Sequence, residues 1–415
     1  MGAAAPARDT WLTAAVLALG AAVSLGLARF SYALLLPPMR EALGWSYFTA
    51  GAMNTVNAAG YLAGALAAPA LFARFGARAA LLGGTLVAAG VLAGHGLVQG
   101  DAALYALRFA AGASSAAVFV AGGLMAARLG SRPAPAGSGI TPALVLGLYY
   151  GGTGLGIVAS ALLLPPLALV TPAPAPLGLA GWRAGWLVLA ALAAAAALPM
   201  RWRWADLDGA PAATAAPAAQ APAWRGFGFG LAGYFMFGLG YIGYMTFIVT
   251  LLREQGLGTV AVAGFYALLG AGVMASPWLW AGLLQRHRGG RPLATLNALL
   301  AVATLLPVLG ATLAPPWPGV VAFVSGSLFG GVFLSVVAST TALVRHNLAP
   351  AQWPAGISAF TIVFAAGQIV GPSLVGRLAD GAGGLGAGLA LSAAVLALGA
   401  LLAALQRPLP LPQQR

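Results

Sequence analysis

Long apolar runs alternate with short polar segments along the whole of this 415-residue chain. The runs are rich in Ala, Leu, Gly and Val and lack period-2 alternation, so they predict helices rather than strands. Crossing a bilayer takes about 20 residues, and twelve runs come near that length. They fall at 11–36, 47–72, 79–98, 103–127, 142–164, 184–200, 226–251, 260–284, 293–313, 319–344, 356–376 and 385–405. The pattern predicts an all-α membrane protein with twelve transmembrane helices.

The composition supports a chain that faces lipid. Charged residues make up 7% of it, against about 25% in soluble proteins. Cysteine is absent, which excludes disulfides and thiolate metal sites. All 20 basic residues are Arg, and together with the abundance of Ala this indicates a GC-rich bacterial genome. We therefore expect a multi-pass protein of the bacterial inner membrane.

The arginines between the runs predict the orientation of the chain. If the N-terminus is cytoplasmic, fourteen arginines fall in cytoplasmic segments and four in outer loops. Cytoplasmic loops of membrane proteins carry an excess of basic residues, so we expect both termini to be cytoplasmic. The net charge of +13 does not indicate nucleic-acid binding, because the arginines are spread over short loops and form no patch with interleaved aromatic residues.

An Ala/Pro-rich segment divides the chain into two halves. Residues 201–225 cannot bury an apolar face and are expected to form a cytoplasmic linker. It separates an N-terminal six-helix half, 1–200, from a C-terminal one, 226–415. The halves repeat weakly, since Arg40-Glu41 recurs as Arg253-Glu254 at an offset of 213 residues. Two pseudo-symmetric halves of six helices are therefore predicted.

Local motifs resemble those of the major facilitator superfamily. In the loop after the second span, Arg74, Gly76 and Arg78 match the cytoplasmic signature of that superfamily, although an alanine stands at its acidic position. Arg108, with Gly112 four residues later, resembles its fourth-helix motif. The resemblance implies that the three matching loop residues take part in conformational switching.

A closer resemblance is to the bacterial YbfB/YjiJ-like branch of this superfamily. It covers nearly the whole chain and is carried by the segments 29–40, 50–61, 241–247 and 367–372. The resemblance implies an alternating-access transporter whose substrate site lies between the halves near the midplane. It implies no particular substrate.

Two formal charges fall inside the predicted spans, Arg29 in the first and Arg108 in the fourth. An arginine at mid-membrane costs at least about 2.5–3.5 kcal/mol. A guanidinium stays charged and binds a carboxylate or phosphate with two hydrogen bonds, so Arg29 is predicted to recognise an organic anion. The alternative is structural, with Arg29 bonded to carbonyls near Pro37. For Arg108 we favour a conformational or coupling role over direct contact with the substrate. The structural alternative is a side chain that extends outward to the membrane surface or pairs with Asp101, seven residues earlier.

Uncharged polar side chains complete the predicted substrate site. Span seven places tyrosines at helical spacing on one face, and buried hydroxyls need partners, which favours a face toward a cavity. Two asparagines share a face of span two and either line the cavity or join helices by hydrogen bonds. The predicted substrate-binding residues besides Arg29 are Tyr32, Asn54, Asn57, Tyr241, Tyr244 and Gln368.

No Asp or Glu lies inside a predicted span. Proton-coupled transporters usually titrate a buried carboxylate or histidine. The remaining candidates near the outer margin are Glu41, Asp101, Glu254, Asp380 and His95. For each of them a solvated loop charge or an interface residue is the preferred interpretation, and coupling to a proton stays open.

These features predict a secondary transporter that moves a small organic solute, preferably an organic anion, by alternating access. Efflux of an apolar or aromatic compound by the same fold is the alternative. A membrane-embedded transferase would need clustered acidic residues, which the seven acids of this chain do not form. We expect no enzymatic activity, no cofactor, no metal site and a monomer. The expected partners are the substrate, the lipid bilayer and, as an option, a proton.

Overall fold

The computed structural model describes residues 7–132, 140–170, 181–202 and 224–409. Most of the predicted linker 201–225 lies outside the described residues. The described part of the chain consists of helices and short connections. The helices are α1 Ala7–Ala21, a π-helical segment Ala22–Phe30, α2 Tyr32–Leu43, α3 Tyr47–Leu97, α4 Asp101–Gly130, α5 Pro142–Val170, α6 Gly181–Trp202, α7 Gly228–Glu254, α8 Thr259–Leu279, α9 Ala281–Arg286, α10 Arg291–Gly310, α11 Trp317–Asn347, α12 Trp353–Ala379 and α13 Gly384–Ala404, with 3₁₀ turns at Trp224–Phe227 and Pro350–Gln352.

Among the described residues, eleven helical segments are long and apolar enough to cross a membrane. One of them is α3, whose 51 residues would extend about 75 Å at 1.5 Å per residue, more than twice the thickness of a hydrocarbon core. Gly76 interrupts α3 with φ 82° and ψ 157°, a conformation that glycine adopts without a Cβ penalty. Two helices therefore meet at Gly76, inside the loop that the sequence predicts between spans two and three.

The chain divides into two compact units. The first contains residues 1–39 and 56–212, and the second contains residues 40–55 and 213–415. The end of α2 and the first turns of α3 thus belong to the second unit, although they precede the predicted linker.

In the first unit, α5 packs closely against α1 and the π-helical segment. A Cβ added to Gly26 would lie 2.5 Å from the Cα of Gly156, so the two backbones cross in direct contact. Small residues allow such close approach between membrane helices. The π-helical segment is also fixed to α4, because Ser24 and Ser115 each donate a hydrogen bond of 2.8 Å to the other's carbonyl. These contacts hold the π-helical segment from two sides.

In the second unit, α7 packs against α12 and α13. Glycines of α12 permit the contact with α7, since a Cβ on Gly367 would lie 2.5 Å from the carbonyl oxygen of Phe235. Gly367 and Gly371 form a Gly-x-x-x-Gly pattern, which is typical of closely packed membrane helices. The face of α7 toward these helices is therefore fixed by backbone proximity.

The segment 40–55 is anchored in the second unit at the start of α3. The backbone N–H groups of Tyr47 and Phe48 donate to the two carboxylate oxygens of Asp380 at 2.8 and 3.0 Å. The Tyr47 hydroxyl donates to Glu254, and the Arg40 guanidinium lies 3.8 Å from the centre of the Tyr47 ring. A carboxylate at a helix N-terminus satisfies donors that have no partner within the helix.

Candidate substrate-binding site

Arg29 lies in the last turn of the π-helical segment, whose nine residues are all buried. The Ser31 N–H donates to the carbonyl of Gly26, five residues earlier, at 3.0 Å. Most π-helical turns occur singly, and they are frequent at functional sites. The wider turn changes the direction in which Arg29 projects relative to an α-helix of the same sequence.

The Arg29 side chain is 4% exposed and lies among aromatic rings. Its guanidinium carbon is 5.3 Å from the centre of the Tyr61 ring and 5.9 Å from that of Phe30. Such contacts stabilise a cation without neutralising its charge. Sequence reasoning missed Tyr61 as a site residue. Its position four residues after Asn57 and seven after Asn54 puts it on the same helical face, and this spacing was the available signal.

Arg108 is 1% exposed and lies in the first unit, as Arg29 does. Its Nη1 donates to the carbonyl of Ala28 at 3.2 Å, and its guanidinium carbon is 4.5 Å from the centre of the Tyr32 ring. Ala28 is the residue before Arg29, so this hydrogen bond places Arg108 beside the end of the π-helical segment that carries Arg29. The structure therefore brings together three of the predicted residues, Arg29, Arg108 and Tyr32.

Asp101 is the first residue of α4 and is exposed, two turns before Arg108. The Arg108 guanidinium contacts Ala28 and Tyr32. The contact with the Ala28 carbonyl ties α4 to the π-helical segment next to Arg29, so Arg108 both carries charge and positions its neighbour.

The two asparagines of α3 bond to different helices. Asn57 Nδ2 donates to the carbonyl of Arg108 at 3.0 Å in the first unit. Asn54 Nδ2 donates to Thr246 Oγ1 at 2.8 Å in the second, and Thr246 in turn donates to the carbonyl of Ile242 at 2.6 Å. Of the two roles considered for these side chains, the structure shows hydrogen bonding between helices.

In the second unit, the predicted polar residues of α7 and α12 meet. The Tyr241 hydroxyl donates to Gln368 Oε1 at 3.0 Å. Tyr244 lies 2.7 Å from Ser325 Oγ, which donates to the carbonyl of Ala303 at 2.6 Å. Because the Ser325 hydroxyl has one hydrogen and gives it to Ala303, Tyr244 must be the donor in its bond to Ser325. Tyr244 is thus fixed to α11, whereas Tyr241 pairs with another candidate site residue.

Aromatic rings form a stack along α7. The ring of Phe237 lies 5.6 Å from Tyr234, 4.7 Å from Tyr241 and 5.3 Å from Phe364, with planes within 19° of parallel. Phe333 extends the stack at 5.9 Å from Tyr241. The spacing along α7 predicted a common face for its own residues, but Phe364 and Phe333 come from other helices and had no signal in the sequence. We call these five rings the aromatic stack.

The residues predicted to act in conformational switching lie around the break in α3. Gly76 forms the break itself. Arg78 Nη2 donates to the carbonyl of Arg201 at 3.4 Å, and the Arg74 guanidinium lies 5.2 Å from the ring centre of Phe75. The loop is therefore linked to the end of α6 by an exposed backbone contact.

The family model described as an uncharacterised MFS-type transporter, YbfB, matches residues 21–404. The chain belongs to this family. Residues 21–404 include the π-helical segment, both buried arginines and the aromatic stack. The protein is accordingly an MFS-type membrane transporter, which the motifs of the sequence had predicted. No curated protein matches the chain significantly.

Solved structures of other transporters share the fold of this MFS-type chain. A bacterial homologue of the human lysosomal transporter Spinster, in an inward-facing and occupied conformation, matches with a TM-score of 0.69 and 14% identity over 97% of each chain. The same homologue in its unoccupied conformation gives 0.67 and 16% identity over 97% of this chain and 96% of that one. The nucleoside transporter NupG gives 0.69 and 12% identity over 96% of this chain and 99% of its own. At these identities the similarity shows the fold alone.

Proposed function

We propose that this transporter moves a small organic anion across the bacterial inner membrane by alternating access. The observation that carries the proposal is the pair of buried arginines, Arg29 and Arg108, which the hydrogen bond from Arg108 to the Ala28 carbonyl brings to neighbouring positions in the first unit. A guanidinium binds a carboxylate or phosphate with two parallel hydrogen bonds. An anion bound there would replace repulsion between two like charges with attraction to both.

The surroundings of Arg29 support recognition rather than a purely structural role. The Tyr61 and Phe30 rings contact the guanidinium through their faces, so they leave its charge intact. The π-helical turn at Arg29 is held by the Gly26–Gly156 crossing and by the serine bonds to α4. A rigid backbone limits the entropy lost when a side chain binds a ligand.

The proposed topology has twelve spans with both termini in the cytoplasm. The break at Gly76 supports counting α3 as two spans, which adds one to the eleven apolar segments. The excess of arginines in the segments assigned to the cytoplasm supports the orientation. Fluorescent-protein and alkaline-phosphatase fusions after Leu97 and Gly130 would test it, because only the second should be cytoplasmic. Phosphatase activity after Gly130 would contradict the topology.

Transport by Arg29 variants tests the anion proposal. Purified full-length protein in proteoliposomes is assayed for uptake of benzoate, lactate and succinate, with benzamide as the neutral comparison. Hydrogen bonds to charged groups contribute about 1.5–3 kcal/mol, so Arg29→Ala should lower uptake of the transported anion about tenfold or more. Arg29→Lys should restore only part of it, because an ammonium lacks the planar fork of donors.

Arg253→Ala is the matched control for loss of one positive charge. Arg253 is exposed at the end of α7 and donates to Thr259 Oγ1 at 2.9 Å. Its removal should leave anion uptake unchanged. Undiminished uptake by both Arg29→Ala and Arg29→Lys would refute recognition of the anion by Arg29.

The aromatic stack favours a second candidate function, efflux of an apolar or aromatic compound. Near-parallel rings around Phe237 offer faces on which a planar ligand could stack. Everted vesicles that contain Phe237→Ala or Arg29→Ala separate the two candidates. Efflux of a cationic dye such as ethidium should be lost in Phe237→Ala and kept in Arg29→Ala if this second function holds. A catalytic role is not proposed, since the family comprises transporters.

A further inference from the structure

His95 has a completely buried imidazole and is not one of the residues proposed to bind the anion. It lies in the last turns of α3 in the first unit and is 0% exposed. Its ring stacks on the indole of Trp186 from α6, with 4.4 Å between centres and 26° between planes. Trp186 Nε1 is 3.4 Å from the sulfur of Met39. The imidazole is therefore held in place by stacking on an indole that is itself bonded to Met39.

The hydrogen bond of His95 determines its tautomer. Nδ1 lies 2.8 Å from the carbonyl oxygen of Val91, and a carbonyl can only accept a hydrogen bond. Nδ1 must therefore carry the hydrogen, which leaves a lone pair on Nε2. Nε2 is buried and has no hydrogen-bond partner among the described residues. An unsatisfied buried acceptor costs about 1–3 kcal/mol, so it needs an explanation.

A proton is the ligand that this lone pair can take. In the described part of the chain no three His, Cys, Asp or Glu side chains gather as metal ligands do. A single imidazole nitrogen is sufficient to bind a proton, whereas a metal ion needs several ligands. The chain holds two other histidines, His287 and His346, and both lie in the second unit.

Packing connects His95 with the proposed anion site. A Cβ added to Gly94, next to His95, would lie 3.0 Å from Leu107 Cδ2, next to Arg108 on α4. Arg108 in turn donates to the carbonyl of Ala28, the residue before Arg29. From α6, the facing side chain is the neutral Trp186, while Arg183 approaches Gly96 with its backbone carbonyl. A proton added to Nε2 is therefore repelled by Arg108, and an anion at the arginines reduces that repulsion.

We propose that His95 Nε2 is the proton-binding site of this transporter and that it takes up one proton when an anion binds at Arg29 and Arg108. The inference rests on the proposed anion transport. Because linkage is reciprocal, the proton must also strengthen anion binding. A bound monocarboxylate such as benzoate or lactate adds one negative charge and the proton one positive charge, so the loaded protein carries the charge of the empty one. Proton and monocarboxylate then cross the membrane together without net charge, which makes the protein a proton–anion symporter.

Proton uptake on anion binding tests this inference. Purified full-length protein in weakly buffered detergent with a pH-indicator dye is mixed with saturating benzoate, lactate or succinate, and binding is followed in parallel by calorimetry. The wild type should take up nearly one proton per bound anion. His95→Gln should still bind the anion, with uptake near zero. His287→Gln is the matched control, because His287 Nδ1 makes the same bond to a carbonyl four residues earlier, at 3.1 Å, and it should behave as the wild type.

A second measurement keeps His95 in place and therefore tests the inference even if the His95→Gln variant fails to fold. The variant His287→Gln/His346→Gln leaves His95 as the one imidazole of the chain, so its ¹⁵N resonances are assigned without ambiguity. Without anion, Nε2 should resonate as an unprotonated nitrogen, and with anion it should move to the protonated position.

The outcomes separate the inference from the proposed function. Anion binding without proton uptake, equal uptake by His95→Gln, or an unmoved Nε2 resonance would overturn the role of His95 and leave anion transport intact. Failure of the wild type to bind any of the three anions would overturn the proposed function and this inference together.

Discussion

The crossing of Gly26 and Gly156 gives a prediction that connects packing with function. In Gly26→Ala, the new Cβ would lie 2.5 Å from the Cα of Gly156 and 2.9 Å from the carbonyl oxygen of Thr153. Ordinary carbon contacts need about 3.5–4.0 Å. The π-helical segment and α5 must therefore separate by about 1 Å, because backbone atoms cannot rotate away as a side chain can.

Forced separation of this kind costs about 1–3 kcal/mol in well-packed cores. The segment that moves carries Arg29 three residues later, so we expect anion uptake to fall together with stability. Gly90→Ala is the matched control. Gly90 is exposed within α3, a Cβ there would meet nothing within 4 Å, and alanine is preferred to glycine in helices by about 1 kcal/mol. Gly90→Ala should be neutral or stabilising.

Unfolding in mixed micelles with increasing SDS measures the free-energy difference, and proteoliposome uptake of the transported anion measures function. Gly26→Ala should unfold at lower SDS than the wild type, and Gly90→Ala should not. The reasoning would be refuted if Gly26→Ala were as stable and as active as Gly90→Ala. Such a result would mean that the two backbones do not cross in contact.

Two further predictions concern hydrogen bonds in the second unit. Asp380→Ala removes the acceptor of the Tyr47 N–H, and loss of such a cap costs about 0.5–2 kcal/mol. Amide exchange in the first turn of α3 should therefore accelerate about 2- to 30-fold, while exchange in the first turn of α13, at Gly384, should be unchanged. Tyr244→Phe leaves Ser325 without the hydrogen bond that it accepts and should lower the free energy of unfolding by about 1 kcal/mol. In a Ser325→Ala background, Tyr244→Phe should lower the free energy of unfolding by less than it does in the wild type. An equal decrease in both backgrounds would show that the two hydroxyls do not interact.

Much of the fold could be predicted from local features of the sequence. Apolar runs of sufficient length identified the spans, because the bilayer sets the length of a helix that crosses it. The short polar loop around Gly76 identified the break inside α3, although the helix otherwise continues through it. Arg29 and Arg108 stood out for a physical reason, since a charge inside an apolar run is costly and rarely without a role.

The candidate site was predicted in part. The residue types were foreseen, but Tyr61 and Phe364 were not, and Asn54 and Asn57 could be assigned neither to a cavity nor to a helix contact. His95 was seen only as a candidate at the outer margin. Its buried Nε2 and its stacking on Trp186 became visible only when α3 and α6 were packed together.

The sequence by itself determined which segments are helices that face lipid, and which residues carry charge into them. Hydrophobic length and the cost of a buried charge are properties of single segments, so they can be inferred without knowledge of neighbours. The tertiary structure alone decided that Arg108 bonds to the carbonyl of Ala28, next to Arg29 and 80 positions earlier in the chain. That contact depends on the Gly26–Gly156 crossing and the Ser24–Ser115 bonds between helices. Most of each helix is equally apolar, so helix partners are selected by close backbone approach and a few polar contacts.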